Sequence, residues 1–216
     1  MKKINLSENE IKKLETYLYM KTSGFNIYKL PNNTIYKLNS KYQTLSPGST
    51  SFQRIVEVFE KNDSNLHSID YPTGVVYYNG IEIGYESIFH SEYDKFDIEN
   101  KSLLEVYEFQ IKILDILELL ANNGILYFDT NYENFLVSKN KDVKLIDFDP
   151  ICIETDVNKT ENSSKFIMFI KFNLNLMYIL NSNLEIKIEG NTINEIRNCI
   201  QNNMRGLEDY RVSKTR

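Results

Sequence analysis

Three polar residues in one short window are the first sign of chemistry. In YFDTNYENFLVSKNKDVKLIDFD, residues 127–149, Asp129 follows the apolar run ILYF. Asn134 lies five residues further on, and Asp147 closes the run VKLI, eighteen residues after Asp129. The runs FLV and VKLI read as a hairpin that turns over Ser138 to Asp142. Such a hairpin carries Asp147 back beside the loop holding Asp129 and Asn134, so two carboxylates and an amide oxygen converge. Mg2+ takes oxygen donors and is held by one or two carboxylates together with substrate phosphates. A second carboxylate nearby can accept the proton of a hydroxyl nucleophile. Phosphoryl transfer needs both, and otherwise mostly positioning. The plain structural alternative is a pair of solvated turns, since Asp and Asn are common turn formers.

The window resembles the protein-kinase-like superfamily, whose catalytic loop reads H-R-D-x-x-x-x-N and whose metal motif reads D-F-G. This chain has YFDTNYEN, Tyr127 to Asn134, and DFD, Asp147 to Asp149. The resemblance implies that Asp129 is the catalytic aspartate and that Asn134 and Asp147 bind the metal. It implies ATP and Mg2+ as cofactors and a hydroxyl as acceptor. The apolar helix before the loop and the hairpin between the motifs fit the same pattern.

The N-terminal half can be laid on that pattern through KTSGFNIYKLPNNTIYK. Thr22 to Phe25 would then be the phosphate loop, with Gly24 its remaining glycine. The second and third strands would be FNIYKL and TIYK, the latter ending in Lys37. Lys37 would contact the α- and β-phosphates and pair with Glu57 on the next helix. Lys29 and Lys41 compete for the first role and Glu60 for the second. The run IEIGYESI would enter the hinge, so that backbone from Glu86 to Ile88 faces adenine.

Several residues depart from the pattern. Tyr127 stands for the usual histidine and Phe128 for the usual arginine, so a phosphorylated loop would not switch activity through that arginine. Asn131 stands where serine/threonine kinases usually carry lysine, which leaves the acceptor class open. Asp149 replaces the last glycine of D-F-G, and Pro150 stiffens the chain beyond it. Three readings stay open: a kinase for Ser/Thr of a protein, a small-molecule kinase similar to aminoglycoside or choline kinases, and a nucleotide-binding pseudokinase.

These residues need elements to position them. Ser7 to Glu10 is a capping box opening a helix over 8–19, although its end, Tyr17 to Met20, reads equally as a strand. FNIYKL and TIYKL flank Pro31-Asn32-Asn33, a hairpin signal, and Ser46 to Thr50 reads as a loop. SFQRIVEVFEKN is an amphipathic helix with Phe52, Ile55, Val56 and Phe59 on one face. Asn79-Gly80 between β-type runs predicts a second hairpin. Residues 90–101 read as a polar linker. A long helix runs from Ser102 to Asn122 and stops at Gly124. After a Thr/Asn/Ser-rich loop to about 164 come a buried helix over 165–180 and a polar helix over 192–204. The expected fold is α+β and bilobal, with a small β-rich N-lobe, 1–89, and a short, mainly helical C-lobe, 90–216.

Composition narrows the setting. The chain has 216 residues and a net charge of −5, which does not favour nucleic acid or anionic membrane as partner. Its most apolar stretch, Phe166 to Leu180, is interrupted by Lys171, Asn173 and Asn175, and fits a buried helix better than a membrane span. No apolar run follows the charged N-terminus, so no signal peptide is expected. Cys152 and Cys199 lie in no metal or redox spacing and read as free thiols of a cytoplasmic protein. His67 and His90 are isolated, and no role is assigned to them.

Overall fold

The computed structural model describes residues 2–22, 24–47, 52–61, 68–147, 151–153, 159–181 and 187–214. Ser23, Gly48 to Thr50, His67, Asp149 and Pro150 therefore lie outside the described residues, as does the Phe59 side chain. The chain divides into two compact units, Met1–Glu92 and Tyr93–Arg216. The first is β-rich and the second mainly helical. Among the described residues no helix is long and apolar enough to cross a membrane.

Among the described residues the first unit is a six-stranded sheet with two α-helices. Its strands are β1 (Lys2–Asn5), β2 (Leu18–Lys21), β3 (Phe25–Lys29), β4 (Thr34–Asn39), β5 (Gly74–Tyr78) and β6 (Ile81–Ile88), ordered β1-β5-β6-β4-β3-β2. Only β1 runs parallel to its neighbour, pairing Lys2 to Asn5 with Gly74 to Tyr77 of β5. Both predicted hairpins form, because their turn residues tolerate a left-handed backbone. Asn33 lies at φ 60, Asn79 at φ 50 and Gly80 at φ 76. Helix α1 (Glu8–Leu14) opens on the Ser7 capping box. It ends five residues short of the expected 19; a single 3-10 turn, Glu15–Tyr17, then hands the chain to β2. Tyr17 to Met20 was the part with two readings, and pairing with β3 decides most of it as strand. Ile11, Leu14, Tyr28, Leu38, Val76 and Ile83 form a buried apolar cluster. Helix α2 (Phe52–Lys61) turns Phe52, Ile55 and Val56 inward.

The second unit is built round α3 (Leu103–Asn122), which opens on a second capping box at Ser102 and ends before Gly124, φ 73. Val106, Tyr107, Leu114, Leu117 and Leu120 on this helix are completely buried. Residues 90–101 are not a plain linker. They contain β7 (Tyr93–Lys95) and a 3-10 turn, Ile98–Asn100. Two apolar residues hidden in this polar run explain it. Phe96 stacks on Phe109 of α3 with ring centroids 3.9 Å apart, and Ile98 is buried. Strand β8 (Ile125–Tyr127) pairs with β11 (Ile151–Ile153), while β9 (Phe135–Ser138) and β10 (Val143–Leu145) form the expected hairpin, with β7 on the far side of β9. Helices α4 (Lys159–Asn181) and α5 (Ile193–Lys214) are each longer than their apolar patterns. Extending an existing helix costs little once its nucleus has formed, so polar flanks join it.

Candidate active site

The sequence window becomes a continuous piece of architecture in the second unit. β8 ends at Tyr127, and residues 128–131 run without regular structure. The Asn131 side chain then accepts from the Glu133 backbone N–H at 3.2 Å and starts the 3-10 turn Tyr132–Asn134. β9 and β10 come next, and the Ile146 N–H donates back to the Asn134 carbonyl at 2.8 Å. That bond returns the chain to the loop just before Asp147. Asp147 itself sits in the left-handed region, φ 66, which aspartate enters more readily than most residues but at some cost relative to glycine.

A hydrogen-bond chain joins the three predicted residues. The Asn134 Nδ2 donates to the Asp129 carbonyl at 3.1 Å and to the Tyr127 hydroxyl at 3.0 Å. The Tyr127 hydroxyl donates to the Asp147 carbonyl at 2.8 Å. The Tyr127 side chain is fully buried, whereas Asp129 is exposed and can meet an acceptor from solution. Asn134 spends its amide nitrogen on these bonds and keeps its Oδ1 for another partner. Among the described residues no three His, Cys, Asp or Glu side chains cluster as a metal site. The residues that could hold a cation here are one carboxylate, Asp147, and one amide oxygen, Asn134 Oδ1. Such a pair suits Mg2+, which retains waters and substrate phosphate oxygens rather than a full protein cage.

The loop is anchored from below by α4. Thr130 is 2% exposed, and its Oγ1 accepts from Asn173 Nδ2 at 2.9 Å. Phe128 meets Phe166 and Phe169 edge-on, at 6.3 and 6.0 Å. In place of a charged residue before Asp129, this chain has an apolar wedge. Asn175 holds the backbone of Ile188, accepting from its N–H at 2.6 Å. The asparagines that interrupt the apolar run of α4 were visible in the sequence. Their partners were not, and neither was the role of Tyr127.

The candidate nucleotide residues lie in the first unit. Lys37 is 6% exposed on β4, and its Nζ lies 4.8 Å from the centroid of the Phe25 ring and 6.0 Å from that of Tyr85. It stands opposite Tyr85 in the β4–β6 register, beside Leu38 opposite Gly84. A Cβ on Gly84 would overlap the Lys37 carbonyl, so this approach requires glycine. Lys29 lies instead over Phe89, 3.3 Å from the ring centroid, and Lys41 is exposed. Glu57 is exposed on α2 and accepts from Gln53 Nε2 at 2.7 Å. Glu60 is likewise exposed. At the expected phosphate loop, Thr22 N–H donates to the Phe25 carbonyl at 2.8 Å and Phe25 N–H to Thr22 Oγ1 at 3.0 Å. Gly24 has open space around it, and its carbonyl accepts from Ser40 N–H at 2.9 Å.

At the expected hinge, the Glu86 side chain is engaged. It accepts from Lys2 Nζ at 2.7 Å and from Thr73 Oγ1 at 3.1 Å. Ile88 is 50% exposed. It pairs with Thr34, while the neighbouring Phe89 N–H donates to the Asn33 carbonyl at 2.7 Å. Alternation along an antiparallel pair therefore turns the Ile88 N–H and carbonyl away from β4.

No family model and no curated protein matches this chain. Among solved structures 1529 chains match, so the architecture is a widely used one. One is a chain of the CAK complex from Chaetomium thermophilum bound to ATP-γ-S, 14% identical, covering 90% of this chain and 70% of that one, with a TM-score of 0.57. At that identity the likeness shows the fold alone. The fold is mixed α and β, with a β-rich N-terminal sheet and a helical C-terminal region, and it is protein-kinase-like.

Proposed function

We propose that the protein is an ATP-dependent phosphotransferase that moves the γ-phosphoryl group to a hydroxyl, with Ser or Thr of a protein as the first candidate acceptor. The observation that carries this reading is the chain of bonds from Asp129 through Asn134 and Tyr127 to Asp147. In this reading Asp129 takes the hydroxyl proton as the oxygen bonds to the γ-phosphorus, and the bond to the ADP oxygen breaks. Asn134 Oδ1 and the Asp147 carboxylate hold Mg2+, which neutralises the phosphate charge. Lys37 contacts the α- and β-phosphates, with Glu57 as its carboxylate partner. Gly24 lies against the phosphates, and backbone from Glu86 to Ile88 faces the adenine. A cytoplasmic setting goes with it, as does the free Cys199 thiol.

A second reading, the nucleotide-binding pseudokinase, draws on two observations in the first unit: the phosphate-loop N–H groups of Thr22 and Phe25 are spent within their own turn, and the Glu57 carboxylate is engaged by Gln53. Thermal unfolding with ATP, with and without Mg2+, tests the shared part. Absence of a Mg2+-dependent shift overturns the nucleotide assignment. Radiolabelled ATP offered to protein and small-molecule acceptors then separates the readings. Labelled protein supports the first, labelled small molecule supports an aminoglycoside- or choline-kinase-like acceptor, and binding without transfer or hydrolysis supports the pseudokinase.

A further inference from the structure

The apolar run of α4 reads from sequence as a buried helix, yet only one side of it is buried. Phe166, Ile170, Leu174 and Met177 face the core, each 2% exposed or less. Met168, Phe169 and Phe172 are 58%, 39% and 65% exposed. Successive helical residues turn by about 100°, so these three share one arc of about 100°, on the side away from the core. Single exposed apolar residues are ordinary, whereas several large ones side by side mark a surface of interaction. One border of this arc is the loop that carries Asp129. Phe169 meets Phe128 edge-on at 6.0 Å, and Asn173 Nδ2 donates to Thr130 Oγ1 at 2.9 Å. The residues just before and just after Asp129 are thus both seated on α4, beside the exposed side chains.

We infer that this face of α4 receives the acceptor, an extended peptide whose hydroxyl lies at Asp129 while a large apolar side chain a few residues away packs on Phe169 and Phe172. The inference rests on the phosphotransferase reading and gives its acceptor a class. Continuity with the Asp129 loop selects this occupant, and length favours a peptide over a small molecule. Phe169 already touches the loop, and Phe172 lies three residues further along the helix, about 4.5 Å of rise. With the reach of the side chains added, the acceptor spans on the order of 10 Å, which three extended residues cover at about 3.3 Å each. Asp129 and Phe172 are both open to solvent, as joint contact with one ligand requires. Covering the two rings removes apolar area from water, and that gain goes to any acceptor with a matching side chain.

The test uses the full chain, wild type and Phe172→Ser, with radiolabelled ATP and Mg2+. The acceptors are serine peptides in an alanine-glycine background, with leucine placed in turn at each nearby position. The expected result is that wild type prefers one leucine peptide to its alanine parent about tenfold in kcat/KM, through KM, the worth of burying one large apolar side chain. In F172S that ratio should fall close to one, and Met168→Ser should lower it in the same direction. No leucine preference in wild type, or a preference that survives in F172S, overturns the inference. Binding of ATP and Mg2+ with no peptide labelled overturns it too, and leaves the small-molecule and pseudokinase readings. No binding of ATP and Mg2+ overturns the phosphotransferase reading beneath it. Light scattering covers the other occupant: a wild-type dimer that F172S dissociates assigns the face to a second copy of the chain and overturns the inference. A melting temperature that drops in F172S means that the chain itself covers Phe172, which overturns it as well.

Discussion

Asp129 and Asp147 show how differently two aspartates can be used within one loop-and-hairpin unit. Asp129 is exposed and lends only its backbone carbonyl to the network, and in the proposed reaction its carboxylate takes the hydroxyl proton. Asp129→Ala should therefore lower transfer on the order of 10²–10⁴-fold, the usual worth of a general base. Its melting temperature should stay within about a degree of wild type, because the change removes an exposed carboxylate. A melting temperature that falls with activity would mean that Asp129 is structural. These residues were legible because their motif is local: five residues link Asp129 to Asn134, and a hairpin carries Asp147 back. Tyr127 was legible only as a departure from pattern, since residue type says nothing of where a hydroxyl points. The lysines were harder still. Lys29 and Lys37 sit in near-identical IYKL runs, and only the strand register separates a lysine stacked on Phe89 from one buried against Phe25 and Tyr85.

At the scale of elements, the first unit depends on two strands drawn unusually close. Gly84 of β6 lies against the Lys37 carbonyl of β4, with no room for a methyl group. Gly84→Ala should destabilise the chain by about 3 kcal/mol or more, because the obstacle is backbone and cannot rotate away. Denaturant unfolding measures this, and a loss below about 1 kcal/mol would mean that the strands part without penalty. The second unit depends on the start of α3. Ser102 and Glu105 bond each other's backbone N–H at 3.3 and 2.9 Å. Ser102→Ala should cost about 1 kcal/mol by the same assay. The hairpins and the Ser7 capping box could be read from sequence, because each is specified by a few consecutive residues; the Ser102 box emerged only with the structure. The extra elements could not be read. β1 carries a single partly buried apolar residue, Ile4, and is placed by parallel pairing with β5, far along the chain. β7 is three polar residues, held by β9 and by the burial of Phe96 and Ile98 on its C-terminal side.

Across the whole molecule, each unit buries a tyrosine that resists ionisation. In the first, burial and then the hydrogen bond to Glu15 push Tyr28 up from 10.0 to about 12. In the second, burial first and the neighbouring Tyr178 next raise Tyr107 further still. Their contribution to stability is complete below pH 10. Above that, the unfolded chain releases protons that the folded chain keeps, so folding weakens as pH rises through the raised values. Stability should fall by roughly 2–3 kcal/mol between pH 10 and 12 from Tyr28 alone. Tyr28→Phe should flatten that part of the curve in urea titrations at fixed pH, and an unchanged slope would refute the assignment. The sequence's tyrosine richness was visible; which tyrosines are buried depends on tertiary packing, and their titration depends on that in turn.

The left-handed backbone of Asp147 has one more consequence. Glycine adopts φ 66 without the Cβ penalty, so Asp147→Gly relieves up to about 1 kcal/mol of local cost. The same change removes the carboxylate on which the proposed chemistry depends. A library of variants screened only for heat tolerance should therefore enrich glycine at this codon, yielding sturdier and inactive molecules. Selection for a firm fold and selection for turnover pull this one position in opposite directions.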